Sequence, residues 1–384
     1  MSHPSPTTPP ALTSESPELS IIVPTLREAA NLPLLAKRLA AALPDTLYEL
    51  IVVDDDSRDG TDRVCGELAM SHPLKLITRR PPKDGLSGAV LEGFKHASAP
   101  LLLVMDADLQ HPPEAVPQFL AALRAGSPFV LGSRYAAGGT IAGTWSPFRR
   151  ANSLIATMLA RPFAPGITDP MSGFFALPRT TLARAEHLTP LGYKIALELL
   201  CKCRVSEVAQ PAEIPITFAQ RLHGQSKLSL REQFRYLEHL SRLYDYTFPR
   251  ASPILKFGIS VALGWAPAAI VFAALAPHVH ARTAVALAYP VAVAVTAVLH
   301  LRYVSAQREF LPSPRPWTDF LCISLAEYLT ALLAVIYLST RAAGTPTLEL
   351  FLVPFALATV TRYVLRKELL HDLRGLRRDP RRFE

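Results

Sequence analysis

The stretch LLLVMDADLQ, residues 101–110, is the part of the sequence that decides the fold. An apolar run leads directly into Asp106-Ala107-Asp108, and an amide side chain follows at Gln110. Short apolar runs bounded by turn residues are typical of strands that are buried on both faces of a parallel sheet. Two carboxylates one residue apart at a strand end can direct oxygen ligands at one hard divalent cation. The stretch therefore predicts a metal-binding strand end, although an acidic residue after a strand is common.

Comparable apolar runs occur on both sides of this stretch and alternate with helix-like segments. We predict strands over residues 19–23, 49–53, 74–78, 101–105 and 129–131, and helices over residues 31–43 and 61–70. This alternation favours an α/β domain with a mainly parallel sheet that covers roughly the first 220 residues. Ligands of such sheets bind at the carboxyl ends of the strands.

Two further loops carry polar residues at predicted strand ends. In IVVDDDSRDGT, residues 51–61, the adjacent carboxylates of Asp54, Asp55 and Asp56 repel one another unless a base or a ribose satisfies them. The alternative is an Asp-rich turn with Asp59 or Thr61 as a helix cap. In SIIVPTLREAAN, residues 20–31, Glu28 is either a nucleoside ligand or a solvated loop residue.

The composition changes abruptly after Pro253. Residues 254–276, 283–301, 320–339 and 348–365 each approach the ~20 apolar residues of a membrane helix. Arginines concentrate in the connection between the second and third segments and after the fourth. This bias predicts four spans with both chain termini in the cytosol. We expect an integral membrane protein, most simply of a bacterial or archaeal plasma membrane, with its first domain in the cytosol.

The bulk composition agrees with a membrane protein. Hydrophobic residues make up 49% and charged residues 19% of the chain, which is too apolar for an ordinary soluble protein of this length. The net charge of +8 suits an anionic membrane surface better than nucleic acid, because the basic residues cluster beside apolar segments. Residues 145–161 and 228–246 mix apolar and basic residues at helical spacing, as interfacial helices do, or else pack ordinarily on the sheet.

The order of the motifs carries a resemblance to a known family. V-P-x-x-x-E, D-D-D-S-x-D-G-T, K-D-G-L-S-G-A, D-A-D-L-Q and G-S-R follow one another between residues 19 and 246. The series resembles inverting family 2 glycosyltransferases of the Rossmann-like GT-A fold, and most of all the dolichyl-phosphate mannosyltransferases and their polyprenyl-phosphate relatives. The segments around Asp169, Lys194 and 221–228 sharpen this likeness. The C-terminal part is similar to the four-helix domain that is fused to many such transferases.

The resemblance implies roles for individual residues. Nucleotide binding falls to Pro24, Glu28 and Asp55, with Lys83 nearby, and Asp106, Asp108 and Gln110 would hold Mg²⁺ or Mn²⁺. The phosphates of donor and acceptor would face Arg134, Arg149, Ser153, Arg221 and Lys227. Arg27 stands where the family usually has Asn, and Asp56 where Gly is common, so the donor remains either a guanosine or a uridine diphosphate sugar.

These observations predict a metal-dependent hexosyltransferase. The expected reaction moves mannose from GDP-mannose to a polyprenyl or dolichyl phosphate with inversion, and the alternative moves glucose or another hexose from a uridine nucleotide to undecaprenyl phosphate. A processive polysaccharide synthase is disfavoured because the chain lacks a Q-x-x-R-W segment. A non-catalytic scaffold or lipid flippase is disfavoured by the intact acidic and basic motifs.

The predicted domains follow from the same patterns. They are a disordered tail over residues 1–18, a catalytic domain over 19–227, an interfacial helix and linker over 228–253, a four-span membrane domain over 254–365 and a basic tail over 366–384.

Overall fold

The computed structural model describes residues 16–142, 147–186, 188–189, 191–219, 230–249, 251–299, 316–341 and 347–365. The chain divides into two compact units, Met1–Thr247 and Phe248–Glu384. The strands of the first unit are β1 Leu19–Thr25, β2 Tyr48–Asp54, β3 Leu74–Thr78, β4 Leu101–Val104, β5 Val130–Ser133, β6 Thr140–Ile141, β7 Phe175–Pro178, β8 Ala212–Pro215 and β9 Thr217–Phe218. Its helices are α1 Leu32–Ala42, α2 Thr61–Leu68, α3 Gly85–His96, α4 Val116–Arg124, α5 Pro147–Ala160, α6 Arg179–Leu182, α7 Ile195–Lys202, α8 Val205–Val208 and α9 Leu230–Thr247.

The described part of the first unit is built on a seven-stranded sheet in the order β3-β2-β1-β4-β7-β5-β8. Strands β1 to β4 are parallel to one another, and β5 is parallel to β8. Strand β7 runs antiparallel to both of its neighbours, β4 and β5. The mainly parallel sheet was predicted, whereas β7 was not, because a four-residue segment has too little pattern to be told from a loop.

Helices cover both faces of this sheet. Successive residues of β1 point to opposite faces, so Ile21 packs in a core cluster with Leu35 of α1 and Phe119 of α4. Ile22 packs in the other cluster, with Val90 of α3. All residues of β1 are buried, and this explains why the sequence shows a continuous apolar run instead of an alternating one.

Helix α9 belongs to the first unit, which ends at Thr247, whereas the sequence predicted a catalytic domain that ends at residue 227 and a separate interfacial helix after it. Its residues Tyr236, Leu240 and Leu243 lie in the same core cluster as the sheet. The Tyr236 hydroxyl also donates a hydrogen bond to the carbonyl of Ala156 on α5, at 2.8 Å. An amphipathic helix was correctly predicted here, but its apolar side is shared between the protein core and solvent.

The second unit is described by four helices: α10 Ala251–Leu275, α11 Ala281–Leu299, α12 Pro316–Arg341 and α13 Thr347–Val364. Two described segments, Ile254–Leu275 and Leu321–Thr340, are long and apolar enough to cross a membrane, and Ala281–Thr296 is a shorter apolar helix. The four predicted helices are therefore present, while four membrane spans remain a prediction.

A buried ion pair joins α12 to α13. The Arg362 guanidinium donates to both carboxylate oxygens of Glu327, with Nε–Oε1 at 2.5 Å and Nη2–Oε2 at 2.7 Å. Both side chains are less than a tenth exposed. The pairing is bidentate, which satisfies the carboxylate inside an otherwise apolar bundle.

Removing one member of this pair should destabilise the second unit far more than removing both. Arg362→Met leaves a buried carboxylate without its partner and should cost about 3–5 kcal/mol, whereas the double variant with Glu327→Met should be close to neutral. Thermal unfolding in detergent micelles measures the difference. Arg63→Ala is the control, because it removes an exposed pair with Glu67 whose contribution is about 0.3–0.5 kcal/mol. Equal losses in the single and double variants would contradict the pairing.

Candidate active site

A cavity of about 530 Å³ lies where β1, β2 and β4 end. The sheet order changes direction at β1, which has β2 on one side and β4 on the other. Ligands of open α/β sheets bind at such a switch point. The cavity is lined by a set of the predicted site residues: Pro24, Glu28, Asp55, Asp106, Asp108, Arg134 and Ser153.

The loop after β4 holds the two predicted metal-binding carboxylates at the cavity. Asp108 is buried, and its Oδ1 accepts a hydrogen bond from the backbone N–H of Gln110 at 3.1 Å. The backbone N–H of Asp106 donates to Nδ1 of His111, also at 3.1 Å. His111 is buried and stacks on Phe174, with ring centroids 5.1 Å apart. Burial lowers the pKa of His111 to about 4, so the ring is neutral near pH 7 and its Nδ1 can accept this bond.

Gln110 is placed differently from the two carboxylates. Its side-chain amide donates to the carbonyl of Ala219 at 3.1 Å, and the residue is not among those that line the cavity. The described residues contain no group of three or more His, Cys, Asp or Glu side chains that could hold a metal ion. The carboxylates of Asp106 and Asp108 are still the hard oxygen donors that Mg²⁺ and Mn²⁺ prefer. They fit a cation that takes its remaining ligands from substrate and water.

The three adjacent carboxylates after β2 point in three directions. Asp54 accepts hydrogen bonds from the backbone N–H and the hydroxyl of Ser57 and so closes the turn. Asp55 lines the cavity and pairs with Arg79 at 2.5 Å. Asp56 pairs with Arg58 at 2.9 Å and with Arg80 at 3.1 Å. The protein itself therefore balances much of the repulsion that the sequence predicts.

Asp55 is the member of this group that lines the cavity. Burial raises the pKa of Asp55, and the hydrogen bond from Arg79 opposes that shift. Arg79 also donates to the carbonyls of Lys83 and Gly85, which ties the loop before α3 to the cavity. Lys83 itself is exposed and does not line the cavity. The cavity wall is formed there by Gly85 and Leu86 at the start of α3, while Arg79 pairs with the cavity-lining Asp55.

Arg134, predicted to face phosphate, is held by a buried carboxylate. Its guanidinium donates to both oxygens of Asp169, with Nε–Oδ2 at 2.7 Å and Nη2–Oδ1 at 2.8 Å. Asp169 is fully buried, and Arg134 lines the cavity. A fixed guanidinium suits phosphate recognition, because its planar donors are already oriented. Sequence reasoning noted the segment around Asp169 but did not predict this pairing.

Helices α5, α7 and α9 complete the cavity wall. The hydroxyls of Ser153 on α5 and of Tyr135 form a hydrogen bond with an oxygen–oxygen distance of 3.1 Å. Glu232 and Arg235 of α9 line the cavity and form an ion pair at 2.8 Å. Lys194, at the start of α7, lines it as well. The predicted residues Arg221 and Lys227, and the side chain of Arg149, lie outside the described part of the chain.

A mainly parallel sheet with a paired-carboxylate cavity at its switch point is the arrangement of a GT-A transferase that acts on nucleotide sugars. Residues 20–184 match the family model described as glycosyl transferase family 2. The chain is 43% identical over 245 residues to the dolichol-phosphate mannosyltransferase of Pyrococcus furiosus, across 63% of this chain and 68% of that protein. It is 41% identical over 246 residues to that of Saccharomyces cerevisiae, across 62% of this chain and 91% of the relative. The chain therefore belongs to glycosyltransferase family 2.

A solved structure is similar in a more distant way. Glucosyl-3-phosphoglycerate synthase from Mycobacterium tuberculosis, in complex with Mn²⁺, uridine diphosphate and glucosyl-3-phosphoglycerate, matches with a TM-score of 0.45 and 21% identity. The match covers 60% of this chain and 79% of that one. The family assignment rests on the family model and the two mannosyltransferases.

The two departures from the family pattern both occupy left-handed backbone. Arg27 has a φ of 58° and Asp56 a φ of 52°. Asn and Gly, the residues that the family has at these two positions, adopt this conformation more readily than other residues. The backbone N–H of Arg27 donates to the Ser57 hydroxyl at 2.8 Å, which joins the two loops. Left-handed backbone at these two positions is therefore part of the shape of the two loops.

Arg27→Asn should stabilise the protein. Arg27 is exposed, so the variant relieves backbone strain at little loss of contact and should raise the free energy of unfolding by about 0.5–1 kcal/mol. Chemical denaturation in detergent measures this change. Arg27→Ala is the matched control, since it removes the same side chain but keeps a residue that disfavours positive φ. Equal stability of the two variants would contradict the backbone explanation.

Proposed function

We propose that this protein transfers one mannose from GDP-mannose to the phosphate of a polyprenyl lipid, with inversion at the anomeric carbon. The observation that carries the proposal is the cavity of Asp106 and Asp108 in a chain whose curated relatives are named dolichol-phosphate mannosyltransferases. Pro24, Glu28 and Asp55 form the nucleoside side of this cavity. Asn31 donates to the Glu28 carboxylate at 2.7 Å and fixes its orientation.

Asp106 and Asp108 would hold a divalent cation, with Gln110 as the third predicted ligand. When bound, Mg²⁺ or Mn²⁺ supplies positive charge that stabilises the leaving diphosphate. The His111 ring accepts the Asp106 backbone N–H and so fixes the start of this loop. The Gln110 N–H holds the Asp108 carboxylate in the same way. The first contact fixes the backbone at Asp106, and the second orients the Asp108 carboxylate.

The acceptor phosphate is bound by cations and hydroxyls on the other side of the cavity. Arg134 and Ser153 line this side, and Arg149, Arg221 and Lys227 are the further residues that we propose for it. A phosphate oxygen already carries the charge of a nucleophile near pH 7. The main work of the protein is therefore to bring two anions together, which fixed cationic donors do well. No side chain has to act as an essential general base.

The exposed side chains of helices α5 and α9 support a position of the cavity at a lipid surface. Leu154, Ile155 and Met158 of α5 are each more than half exposed, and so is Phe234 of α9. Exposed apolar side chains on amphipathic helices are typical of helices that lie in a membrane interface. Together with the apolar second unit, they support an integral membrane enzyme whose catalytic unit faces the cytosol. The four helices of the second unit would all span the bilayer.

The donor is tested by a panel of labelled nucleotide sugars with polyprenyl phosphate in detergent. GDP-mannose should give a lipid-linked sugar, and UDP-glucose should give far less. The opposite preference would favour the alternative reaction, in which a uridine nucleotide donates a hexose to undecaprenyl phosphate. No transfer from any donor would favour a non-catalytic role.

Asp108→Asn tests the role of the paired carboxylates. The amide keeps the oxygen that accepts the Gln110 N–H but removes the charge, so we expect turnover to fall by about two orders of magnitude or more. A chelator should abolish transfer by the unaltered protein, and added Mg²⁺ or Mn²⁺ should restore it. Glu114→Gln is the control, because its exposed pair with Arg38 lies outside the cavity. Full activity of Asp108→Asn in chelator would contradict the metal site.

The pH profile tests the absence of a general base. Transfer should rise as the acceptor phosphate loses its second proton near pH ~6 and then level off. His111 should add no limb in this range, since its pKa of about 4 leaves it neutral throughout. Initial rates between about pH 5 and 7.5, in the unaltered protein and in Glu28→Gln, measure this. A limb that disappears in Glu28→Gln would identify Glu28 as a base.

A further inference from the structure

Lys194 is a cation of the cavity wall that the reaction described above does not use. It precedes α7, and its ammonium donates to the carbonyl of Met171 at 2.5 Å. Its Nζ lies 4.7 Å from the centroid of the Tyr193 ring. The side chain therefore has a fixed position at the cavity, held by one hydrogen bond and one aromatic face.

The charge of Lys194 is balanced differently from that of the other cations at the cavity. Arg134 pairs with Asp169, and Arg235 pairs with Glu232. Within the described ranges, Lys194 has no carboxylate at ion-pair distance, and its hydrogen bond goes to a neutral carbonyl. An ammonium has three N–H donors, so two of them remain for a ligand. Burial lowers the pKa of Lys194 to about 8, which keeps most of its charge near pH 7.

The position of Lys194 relates it to the carboxylate loop. Its partner Met171 lies in the turn that begins at Asp169, whose carbonyl accepts the Ser172 N–H, and that leads into Gly173. A Cβ at Gly173 would lie 3.7 Å from the nearer carboxylate oxygen of Asp106, so this turn packs directly against the proposed metal ligand. The positive charge of Arg134 disfavours the charge of Lys194, and the carboxylates of Asp169 and Asp106 favour it. The ammonium is thus placed between the side of the cavity that takes the diphosphate and the side that takes the acceptor.

We infer that Lys194 binds a phosphate oxygen during the reaction, either of the leaving nucleoside diphosphate or of the acceptor phosphate. The inference rests on the proposed function and adds a cation to its site. The carboxylates of Asp106 and Asp169 act on the desolvated Lys194 ammonium without a direct ion pair, so an anion that reaches the ammonium adds a direct charge-assisted contact. The packing of Gly173, two residues after Met171, against Asp106 favours the diphosphate.

The competing role for Lys194 is structural. In that case its hydrogen bond only fixes the backbone at Met171, and its charge has no ligand. The two roles differ in a variant that keeps the bond but loses the charge. Lys194→Gln does this, because the amide group still donates to a carbonyl.

Calorimetric titration of the full-length protein in detergent with GDP and Mg²⁺ tests whether Lys194 binds the nucleoside diphosphate. Lys194→Gln should weaken GDP binding about tenfold to a hundredfold, which is the usual loss for a charge-assisted hydrogen bond, and Lys194→Arg should weaken it less. Lys95→Gln, an exposed lysine of α3, is the matched control and should bind as the unaltered protein does.

Initial rates of transfer, measured at a series of polyprenyl phosphate concentrations, test whether Lys194 binds the acceptor phosphate. If Lys194 binds the acceptor, Lys194→Gln should raise the KM for the lipid by a similar factor and leave GDP affinity unchanged. Unchanged GDP affinity together with unchanged lipid KM and turnover would overturn the inference. So would a lower melting temperature with both affinities intact, since that identifies a structural role.

The outcome separates this inference from the proposed function. If the unaltered protein binds GDP and Mg²⁺ but does not transfer mannose, the proposed reaction fails while the binding test of Lys194 still stands. If transfer occurs and Lys194→Gln binds both substrates normally, the reaction stands and the inference fails.

Discussion

The parallel direction of β1, β2 and β4 is the constraint on which the rest of the catalytic unit depends. Because these strands share one direction, the loops that follow them leave the sheet at the same edge. Those loops carry Asp54 to Asp56 and the pair Asp106 and Asp108, so a high density of negative charge is unavoidable there. Carboxylates at such distances raise the free energy of the fold unless cations or hydrogen bonds compensate them. The arrangement of the surrounding side chains follows from that requirement.

The negative charges of some of these carboxylates are compensated by nearby side chains that stabilise the fold. Other carboxylates line the cavity, where a ligand can bind them. Asp54 and Asp56 are satisfied by Ser57 and by arginines outside the cavity. The backbone N–H of Asp106 donates to His111, the carboxylate of Asp108 accepts the Gln110 N–H, and both residues line the cavity. Two neighbouring carboxylates at a cavity are the hard oxygen ligands that a divalent cation prefers. The same loop geometry therefore stabilises the turn and prepares the site.

The buried strands and the acidic loops that follow them could be predicted from the sequence, because the residues concerned are close together in the chain. The buried strands appear as continuous apolar runs, and the carboxylates follow them within a few residues. The pairs Asp55 with Arg79 and Arg134 with Asp169 could not be predicted, since they join residues 24 and 35 positions apart. Helix α9 shows the same limit: its amphipathic pattern was clear, but which surface buries Tyr236 depends on the tertiary fold. The family motif around Lys194 could be recognised in the sequence, but only the structure shows that Lys194 lines the cavity.

The positions of the cations explain how one cavity can accept two phosphates. Arg134 is held rigidly by Asp169, so it offers directed donors but little net charge. Lys194 donates to the neutral carbonyl of Met171, and the carboxylates of Asp106 and Asp169 favour its charge without a direct ion pair. An anionic nucleophile and an anionic leaving group repel each other most when they are closest, which is in the transition state. Charge that is not neutralised in the free protein therefore contributes most at that point, because it interacts more strongly with the paired phosphates than with either one alone.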